Sequence, residues 1–406
     1  MKIKIYPSSL SGEIAAPPSK SMAHRHIIAA SLADGVSALQ NIAFSDDINA
    51  TIGCINSLGG KIKANSDRLN ITGFDIFSAN PTDTLFVNES GSTLRFLIPL
   101  CLLTDKKITF TGKERLFARP LEVYENICAS QGIYFEKGND YLTVRGKLNP
   151  SRFKIPGNIS SQFFTGLLFA LPLLDGDSSI EIEGKAESLS YLEMTIQTLS
   201  EYGIKAYFNG KEIKIPGNQK YIPKNATVEG DYSNSAFFDA LNHLGHKVSV
   251  IGLDENSLQG DKIYKEYFNL IGKTTLDLEN CPDLAPILFA LAAYKGGGEF
   301  NGTGRLKLKE SDRGKAMAEE LLKFGAEVKI YENSVSVKAQ KLHTPTETLK
   351  SHSDHRIVMS LAVLCTIYGG EIEGYRAVDK SMPDFFDKLS ALGGRFDTEE
   401  IYENKQ

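Results

Sequence analysis

The feature that most constrains the fold of this chain is a glycine that follows a helix and recurs six times. In each case an amphipathic helix ends near a glycine, and an alternating strand follows. The six glycines are Gly59, Gly132, Gly203, Gly272, Gly325 and Gly393. Glycine is favoured after a helix because it adopts a left-handed backbone without a Cβ penalty. The differences between successive positions are 73, 71, 69, 53 and 68 residues, so six similar units fill the 406 residues.

Each unit also carries a second, more apolar helix that precedes a short strand. Examples are the helices 92–103, 161–174, 235–244 and 355–367, before the strands 108–110, 180–182, 248–250 and 371–373. Because these helices lack a polar face, we expect them to be buried. The alternation predicts an α/β fold in which helices form the interior and sheets cover them. Since the interval after Gly272 is 53 residues against 68 to 73 elsewhere, we expect the fourth unit to lack its final hairpin.

Two segments divide the six units into two groups of three. Pro17-Pro18 and residues 221–225 are typical of chain crossings between globular regions, and they enclose three units. We therefore predict one domain from residues 18–224 and a second, discontinuous domain from residues 1–17 plus 225–406. The length agrees, because 406 residues at about 150 per domain predict two or three domains.

Charge and cysteine content limit the class of protein. Forty-five basic and fifty acidic side chains give a net charge of −5, whereas nucleic-acid binders are usually basic. A local cluster of cations can still bind small anions. The five cysteines form no CxxC pair, which argues against a zinc ribbon or a disulfide framework. The chain opens without an export signal and lacks an apolar run of roughly 20 residues, so we expect a cytoplasmic protein without membrane contact.

The starts of the buried helices combine capping residues with cations. Serine and aspartate are good N-caps, but capping does not explain Lys20, Arg25, Arg95 and Arg356 in or beside first turns. A cation there opposes the helix dipole, whereas an anion between cation and helix end is stabilised by both. Repetition in several units predicts one cleft that binds anions. The charged run 307–313 joins this group, or else it is a solvated helix start.

Common cofactor motifs are missing from the sequence. Lys20-Ser21 resembles the end of a phosphate-binding loop, but Pro17-Pro18 stands where that loop needs glycines. No GxGxxG follows a strand, so a dinucleotide fold is unsupported. His24 and His26 lie two apart on a predicted helix and face different directions. We predict neither a metal nor an organic cofactor.

Ten motifs, in order along the chain, resemble those of one family. They are PSKSMAHR at 18–25, SGSTLR at 90–95, ARP at 118–120, SSQFFTGLL at 160–168, SLSY at 188–191, EGDYSNSAFF at 229–238, PDLAP at 282–286, KESDR at 309–313, SDHR at 353–356 and DKSMPDFF at 379–386. Each alone is weak, but ten in this order are specific. The chain resembles the 5-enolpyruvylshikimate-3-phosphate synthases, or 3-phosphoshikimate 1-carboxyvinyltransferases. The family fold is a two-domain inside-out α/β barrel of six βαβαββ-like repeats, three per domain, with a double-crossover hinge.

The resemblance implies a reaction and its partners. The enolpyruvyl group of phosphoenolpyruvate would pass to the 5-hydroxyl of shikimate 3-phosphate, releasing phosphate by addition and elimination, as a step of aromatic amino acid biosynthesis. The active site would lie in the interdomain cleft, and the first strand would pair with the C-terminal domain. The protein would act as a monomer on these two small molecules, without a cofactor or nucleic acid.

The family motifs also imply roles for individual residues. Asp283 would be the base and Glu310 the acid that protonates the methylene carbon, with Lys20 assisting at the bridging oxygen. The ligands of shikimate 3-phosphate would be Lys20, Ser21, Arg25, Ser160, Ser161, Gln162, Ser188, Asp283 and Lys309. The ligands of phosphoenolpyruvate would be Lys20, Gly91, Arg119, Gln162, Arg313, Arg356 and Lys380.

The chain departs from the family pattern in two places. Glu89 stands where relatives often have asparagine, and we expect its carboxylate to pair with a neighbouring arginine or to point away. Arg305 occupies the position of a frequent ligand asparagine, so that role is not transferred. Gly91, rather than alanine, leaves space for the inhibitor glyphosate in the phosphoenolpyruvate pocket.

Three other functions fit part of this pattern. The sister transferase that acts on UDP-N-acetylglucosamine typically has Lys-Asn in place of Lys20-Ser21 and a cysteine on a mobile loop, whereas the loop 115–119 holds none. An RNA 3′-terminal phosphate cyclase would need a basic groove and a nucleotidyl-accepting histidine. A non-catalytic ring of repeats would have no reason to place Asp283, Glu310 and many cations at repeat edges.

Overall fold

The structure, a computed structural model, describes residues 1–78, 84–339 and 341–399, so the last part of the predicted second domain lies outside it. The chain divides into two compact units. One is the continuous segment Pro18–Glu229, and the other combines Met1–Pro17 with Gly230–Gln406. Each unit has its own core of buried apolar side chains. We call them the continuous unit and the split unit.

Short strands and helices alternate along the described chain. The strands are β1 Lys2–Tyr6, β2 Ser11–Ala15, β3 Val36–Gln40, β4 Lys61–Asn65, β5 Arg68–Thr72, β6 Thr84–Asn88, β7 Ile108–Gly112, β8 Tyr134–Lys137, β9 Tyr141–Arg145, β10 Arg152–Pro156, β11 Ser178–Glu183, β12 Tyr207–Phe208, β13 Glu212–Ile215, β14 Ala226–Thr227, β15 Lys247–Ile251, β16 Thr275–Asp277, β17 Gly297–Asn301, β18 Ala326–Ile330, β19 Ser334–Ala339, β20 Leu349–Lys350, β21 Gly370–Glu373 and β22 Arg395–Glu399. The helices are α1 Lys20–Leu32, α2 Asp46–Leu58, α3 Gly91–Cys101, α4 Glu114–Phe117, α5 Glu122–Ser130, α6 Gln162–Ala170, α7 Leu189–Glu201, α8 Tyr232–His243, α9 Tyr264–Leu270, α10 Ala285–Lys295, α11 Arg313–Leu322, α12 His355–Tyr368 and α13 Phe385–Ala391. Five 3-10 segments complete them: Leu171–Leu173, Gly260–Ile263, Pro282–Leu284, Gly304–Leu308 and Tyr375–Lys380.

Five of the six sheets in the described residues share one topology. The orders are β14-β3-β5-β4, β6-β7-β9-β8 and β10-β11-β13-β12 in the continuous unit, and β16-β17-β19-β18 and β20-β21-β1-β22 in the split unit. In each, the first two strands are parallel and the other two neighbouring pairs are antiparallel. The sixth sheet has only β15 and β2, in parallel. Three sheets per unit confirm the six predicted repeats.

The shortened fourth repeat is confirmed. After Gly272 the next strand is Thr275–Asp277, and this strand pairs with β17 of the following sheet. The predicted pairing of the first strand is also confirmed. Strand β1 lies between β21 and β22, and Ile3 is opposite both Ile372 and Thr398.

The six helix-ending glycines have the predicted backbone. All have positive φ, from 67° at Gly132 to 114° at Gly59. At Gly59 the backbone N–H bonds to carbonyls of the last turn of α2. A side chain at such a position would be unfavourable, and this explains why glycine marks the end of one helix in each repeat.

The apolar helices are buried as predicted. Eight of the nine residues of α6 and twelve of the fourteen residues of α12 are buried. Helix α3 packs on α6, and α10 packs on α12. Strands such as β10 alternate buried and exposed residues, so the sheet turns one face to the helices. The predicted helix 161–174 is shorter than expected, because Pro172 lacks an N–H and a 3-10 segment replaces its last turns.

The five cysteines lie in the interior of the fold. All five cysteines are buried and free, and burial raises the pKa of the Cys54 thiol to about 12. They therefore pack as small apolar side chains. Within the described ranges, no helix combines the length and the apolar character that a membrane crossing requires.

Candidate active site

Predicted catalytic residues of the split unit meet around one guanidinium group. Asp283 lies in the 3-10 segment that precedes α10, Arg313 is the first residue of α11, and Arg356 is the second residue of α12. Lys309 and Glu310 lie between the segment Gly304–Leu308 and α11.

Arg313 joins three carboxylates. Its Nη1 lies 2.7 Å from Asp283 Oδ1, its Nη2 lies 2.9 Å from Glu310 Oε2, and its Nε lies 2.9 Å from Asp354 Oδ2. The side chain of Arg313 is only 1% exposed. A planar guanidinium with five donors can serve several carboxylates at once, which an ammonium group cannot do in this geometry.

Asp283 is held by three cations. Besides Arg313, the Lys309 Nζ lies 3.2 Å from Oδ1 and the Arg356 Nη2 lies 3.1 Å from Oδ2. Burial alone would raise the pKa of Asp283, but Arg356, Lys309 and Arg313 outweigh it and hold that pKa well below its usual range. The carboxylate is therefore ionised at neutral pH.

Asp354 combines a capping role with an ion pair. Its carboxylate accepts hydrogen bonds from the Arg356 backbone N–H at 3.0 Å and from the Ser311 hydroxyl at 2.9 Å. Although burial raises the pKa of Asp354, Arg313 lowers it to about 2. The motif SDHR predicted a capped helix start, but its link to Arg313 has no local signal. Sequence reasoning therefore missed Asp354 and Ser311 as members of the site.

Arg356 is buried and only partly satisfied. Its Nε and Nη1 atoms have no hydrogen-bond partner in residues 1–78, 84–339 and 341–399. Buried donors without partners are costly, so a bound anion here would be stabilised. Lys380 is also buried, and its 3-10 segment packs against α12, which carries Arg356.

A further carboxyl group lies near Arg356. Asp261 is buried and accepts a hydrogen bond from the Ser233 hydroxyl at the start of α8. Burial, and next the charge of Asp283, raise the pKa of Asp261 to about 7, while Arg356 lowers it. No motif of the sequence pointed to Asp261.

In the continuous unit, the Gln162 side chain links the start of α6 to the start of α3. The Gln162 side-chain oxygen accepts from Arg95 Nη1 at 2.7 Å, and its nitrogen donates to the Ser92 hydroxyl at 2.9 Å. Arg95 also donates to the Pro120 carbonyl at 3.0 Å and lies over the Phe163 ring. Arg95 therefore fixes the orientation of Gln162, the first residue of α6.

Gly91 lies against Arg119 and Gln162. A Cβ atom built on Gly91 would lie 2.8 Å from Arg119 Nη1 and 3.4 Å from both Arg95 Nη1 and Gln162 Oε1. The structure thus brings together three residues that were predicted to bind phosphoenolpyruvate. Because Gly91 has no side chain, the Arg119 guanidinium can lie directly against its backbone.

Two cations lie at the start of α1. Lys20 Nζ pairs with Asp47 Oδ2 at 2.7 Å. The buried Arg25 donates from Nη1 to the Ser21 carbonyl at 2.7 Å and from Nε to the Thr195 hydroxyl at 2.9 Å. Burial lowers the pKa of Arg25 to about 10, so the guanidinium remains charged at neutral pH.

The predicted serines lie at the starts of α6 and α7. Ser160 Oγ accepts from the Gln162 N–H at 3.4 Å, and the Ser161 carbonyl accepts from the Thr165 hydroxyl at 3.2 Å. Ser188 precedes α7 with φ of 56° and is buried. Each residue predicted to bind substrate in the continuous unit is thus at or near the start of a helix, except Arg119, which follows the short helix α4.

Comparison with known proteins decides the family. The family model described as EPSP synthase (3-phosphoshikimate 1-carboxyvinyltransferase) matches residues 5–275 and 269–389. Proteins named 3-phosphoshikimate 1-carboxyvinyltransferase from Clostridium novyi (strain NT) and Clostridium kluyveri are 44% and 42% identical, over 97% of this chain and 98% of each relative. The chain belongs to the EPSP synthase family. The resemblance predicted from the ten motifs is confirmed.

The fold is also that of the family. A solved EPSP synthase from Acinetobacter baumannii superimposes with a TM-score of 0.79 at 21% identity, covering 98% of this chain and 100% of that one. A second structure of EPSP synthase from the same organism gives a TM-score of 0.80 with the same coverage. The predicted two-domain α/β fold of repeated units is confirmed.

The two departures from the EPSP synthase pattern have structural explanations. Glu89 pairs with Lys113 Nζ at 3.5 Å, so its carboxylate has a cation beside it. Arg305 donates to the Glu279 carbonyl at 2.5 Å, a contact within its own unit.

Proposed function

We propose that this chain transfers the enolpyruvyl group of phosphoenolpyruvate to the 5-hydroxyl of shikimate 3-phosphate and releases phosphate. The arrangement around Asp283, one carboxylate contacted by three cations with Glu310 on the same guanidinium, carries the proposal. Family membership supports the same reaction. Two substrates that each carry a phosphate and a carboxylate account for the many cations at helix starts.

The proposal assigns substrates to the two sets of residues. Phosphoenolpyruvate would bind Lys20, Gly91, Arg119, Gln162, Arg313, Arg356 and Lys380. Shikimate 3-phosphate would bind Lys20, Ser21, Arg25, Ser160, Ser161, Gln162, Ser188, Asp283 and Lys309. These residues come from both units. The proposed reaction therefore requires that residues of both units bind the same pair of substrates. The predicted domains, 18–224 and 1–17 with 225–406, would each supply part of the active site.

Charge redistribution explains how Asp283 acts as a base. With three cations beside it, this carboxylate is too weakly basic to accept a proton from a hydroxyl. Anionic substrates that bind Arg356, Lys309 and Arg313 would draw these cations away from Asp283, and the pKa of Asp283 would then rise. The base would become effective only after both substrates are bound, which limits unproductive reaction of phosphoenolpyruvate.

Proton transfers accompany both the addition and the elimination. In the addition step, the hydroxyl oxygen of shikimate 3-phosphate bonds to C2 of phosphoenolpyruvate, Asp283 takes the hydroxyl proton, and Glu310 protonates C3. In the elimination step, the C2–O bond to phosphate breaks, the Glu310 carboxylate takes a proton back from C3 as the double bond reforms, and the proton held by Asp283 passes to the released phosphate. Lys20 would stabilise the bridging oxygen as phosphate leaves. General acid–base catalysis contributes roughly 10²–10⁴-fold per group, so positioning of two bound anions must supply much of the remainder.

A phosphate-release assay tests the proposal. The purified chain is given phosphoenolpyruvate with shikimate 3-phosphate, with UDP-N-acetylglucosamine, or with no acceptor. We expect release only with shikimate 3-phosphate, and an Asp283→Asn variant that loses most of it. Release with UDP-N-acetylglucosamine alone would overturn the assignment of the acceptor.

Localisation and assembly belong to the same proposal. We infer a cytoplasmic monomer that binds no nucleic acid. Light scattering at working concentration would test the monomer, and a mass of twice 44.6 kDa would contradict it.

A further inference from the structure

The turn before α12 has an unfavourable backbone. The Asp354 N–H donates to the Ser351 carbonyl at 2.9 Å and closes a β-turn. Its two central residues, His352 and Ser353, have φ of 48° and 53°. Turns with two left-handed central residues normally use glycine, asparagine or aspartate, because a larger side chain is disfavoured there. Histidine and serine keep this conformation only where neighbouring contacts fix it.

Glu320 supplies the fixing contacts. Its buried carboxylate accepts from the Lys350 N–H at 2.9 Å and lies 2.8 Å from His352 Nε2. Lys323 Nζ also contacts it at 2.8 Å and donates to the Thr348 carbonyl at 3.0 Å. Glu320 therefore binds both the strand before the turn and the first of its left-handed residues.

Helix α11 contacts this segment at two points. Arg313 and Glu320 are seven residues apart, about two helical turns, so their side chains lie on one face of α11. Glu320 contacts His352 inside the turn, and Arg313 Nε contacts Asp354 at its end at 2.9 Å. The Arg356 N–H bonds to the same Asp354 carboxylate at 3.0 Å. The position of Arg356 is therefore set through the turn.

We propose that Glu320 and His352 are positioning residues for the transfer reaction. They would hold the turn 351–354 in its left-handed form so that Asp354 orients Arg313 and Arg356 toward Asp283. This inference rests on the proposed function, because it gives these residues a role in that reaction. Neither residue is among those assigned to substrate.

A bound metal ion is the alternative interpretation of this group of side chains. Ligand atoms of Glu319, Glu320 and His352 lie within 4.8 Å of one another. However, the Glu320 oxygens are already used by Lys323, the Lys350 N–H and His352. A metal ion would have to displace these contacts. We therefore interpret Glu320 and His352 as residues that hold the turn in its conformation.

A comparison of two substitutions at one position tests the proposal. His352→Ala removes the contact to Glu320 and leaves a Cβ in the left-handed conformation. His352→Gly removes the same contact but adopts that conformation freely. We expect kcat/KM for phosphoenolpyruvate to fall about tenfold in His352→Ala. Without the contact to Glu320, the alanine can leave the disfavoured left-handed conformation, and the turn then spends less time in the form that positions Asp354. His352→Gly should stay within about threefold of the wild type. Equal losses in both variants would overturn the proposal.

Glu320 provides a second test with a matched control. Glu327 on strand β18, which packs against α11, is 59% exposed. We expect Glu320→Gln to lower kcat/KM, Glu327→Gln to leave it unchanged, and Ser353→Gly to restore activity when added to Glu320→Gln. No restoration by Ser353→Gly, or a loss of activity when the wild type is treated with a chelator, would overturn the proposal.

Amide hydrogen exchange separates this inference from the proposed function. Exchange at residues 351–356 needs no substrate and is measured on the wild type, His352→Ala and His352→Gly. We expect faster exchange in His352→Ala alone. If the wild type fails to transfer the enolpyruvyl group, the proposed function fails, while exchange still decides whether Glu320 and His352 hold the turn. Unchanged exchange in His352→Ala would overturn the inference.

Discussion

Arg313 and Asp283 are 30 positions apart in the sequence, and their side chains meet at 2.7 Å between Nη1 and Oδ1. The guanidinium is 1% exposed and contacts two further carboxylates, Glu310 and Asp354. A single arginine thus links the residue proposed as base, the residue proposed as acid and the cap of α12. Its replacement should change stability and catalysis together.

Arg313→Lys is expected to remove most turnover and to destabilise the fold. An ammonium group cannot serve three carboxylates in the plane that a guanidinium occupies, so at least one buried carboxylate loses its donor. Breaking a buried pair costs about 3–5 kcal/mol, and urea unfolding should show a loss of this order. Arg376→Lys is the control, because Arg376 is 57% exposed and its nearest carboxylate is 4.0 Å away. Similar losses in both variants would contradict the prediction.

Glu310→Gln should keep substrate binding and lose turnover. The amide retains an oxygen that can accept from Arg313 but cannot deliver a proton to carbon. We expect kcat to fall by roughly 10²–10⁴-fold, while calorimetric affinity for shikimate 3-phosphate stays close to the wild-type value. Glu327→Gln, at an exposed position of β18, is the control. Wild-type turnover in Glu310→Gln would remove this residue from the mechanism.

Gly91→Ala should weaken phosphoenolpyruvate binding. The added methyl group would lie 2.8 Å from Arg119 Nη1, so the guanidinium must move. We expect KM for phosphoenolpyruvate to rise about tenfold, as the loss of one charge-assisted hydrogen bond allows, with KM for shikimate 3-phosphate little changed. Gly53→Ala on α2 is the control, because a Cβ there meets no atom within 4 Å. An unchanged KM in Gly91→Ala would show that Arg119 is not needed at this place.

Asp261→Asn should alter the pH dependence of stability. Burial, and next the charge of Asp283, raise the pKa of Asp261 from 3.8 to about 7 in the folded chain. The folded state therefore keeps a proton that the unfolded state has lost, and this contribution to stability disappears as the pH rises through 7. We expect the wild type to lose more unfolding free energy between pH 5 and pH 8 than Asp261→Asn does. Parallel curves for the two proteins would contradict the shift.

Local features of the fold could be predicted from the sequence. The glycine that follows a helix in each repeat depends only on its own backbone, and all six have the expected φ. Ser19, Ser90, Asp231 and Asp354 each cap a helix through a side-chain oxygen, as their residue types indicate.

The partners of the site residues could not be predicted in this way. Lys20 meets Asp47 across 27 positions and Arg95 meets Gln162 across 67 positions. Such pairs depend on how helices pack, and hydrophobic periodicity gives the buried face of a helix but not its neighbour. The contact between Glu320 and His352 was missed for the same reason, because neither residue belongs to a recognised motif.

The central place of β1 in its sheet has a consequence for biosynthesis. The continuous unit holds all of its strands within Pro18–Glu229, so it can fold while the ribosome is still translating the rest. Strand β1 leaves the ribosome well before β21 and β22, between which it lies. The nascent chain must therefore carry β1 without these two partners, and with Ile3 and Ile5 exposed, until residues 370–399 have been translated.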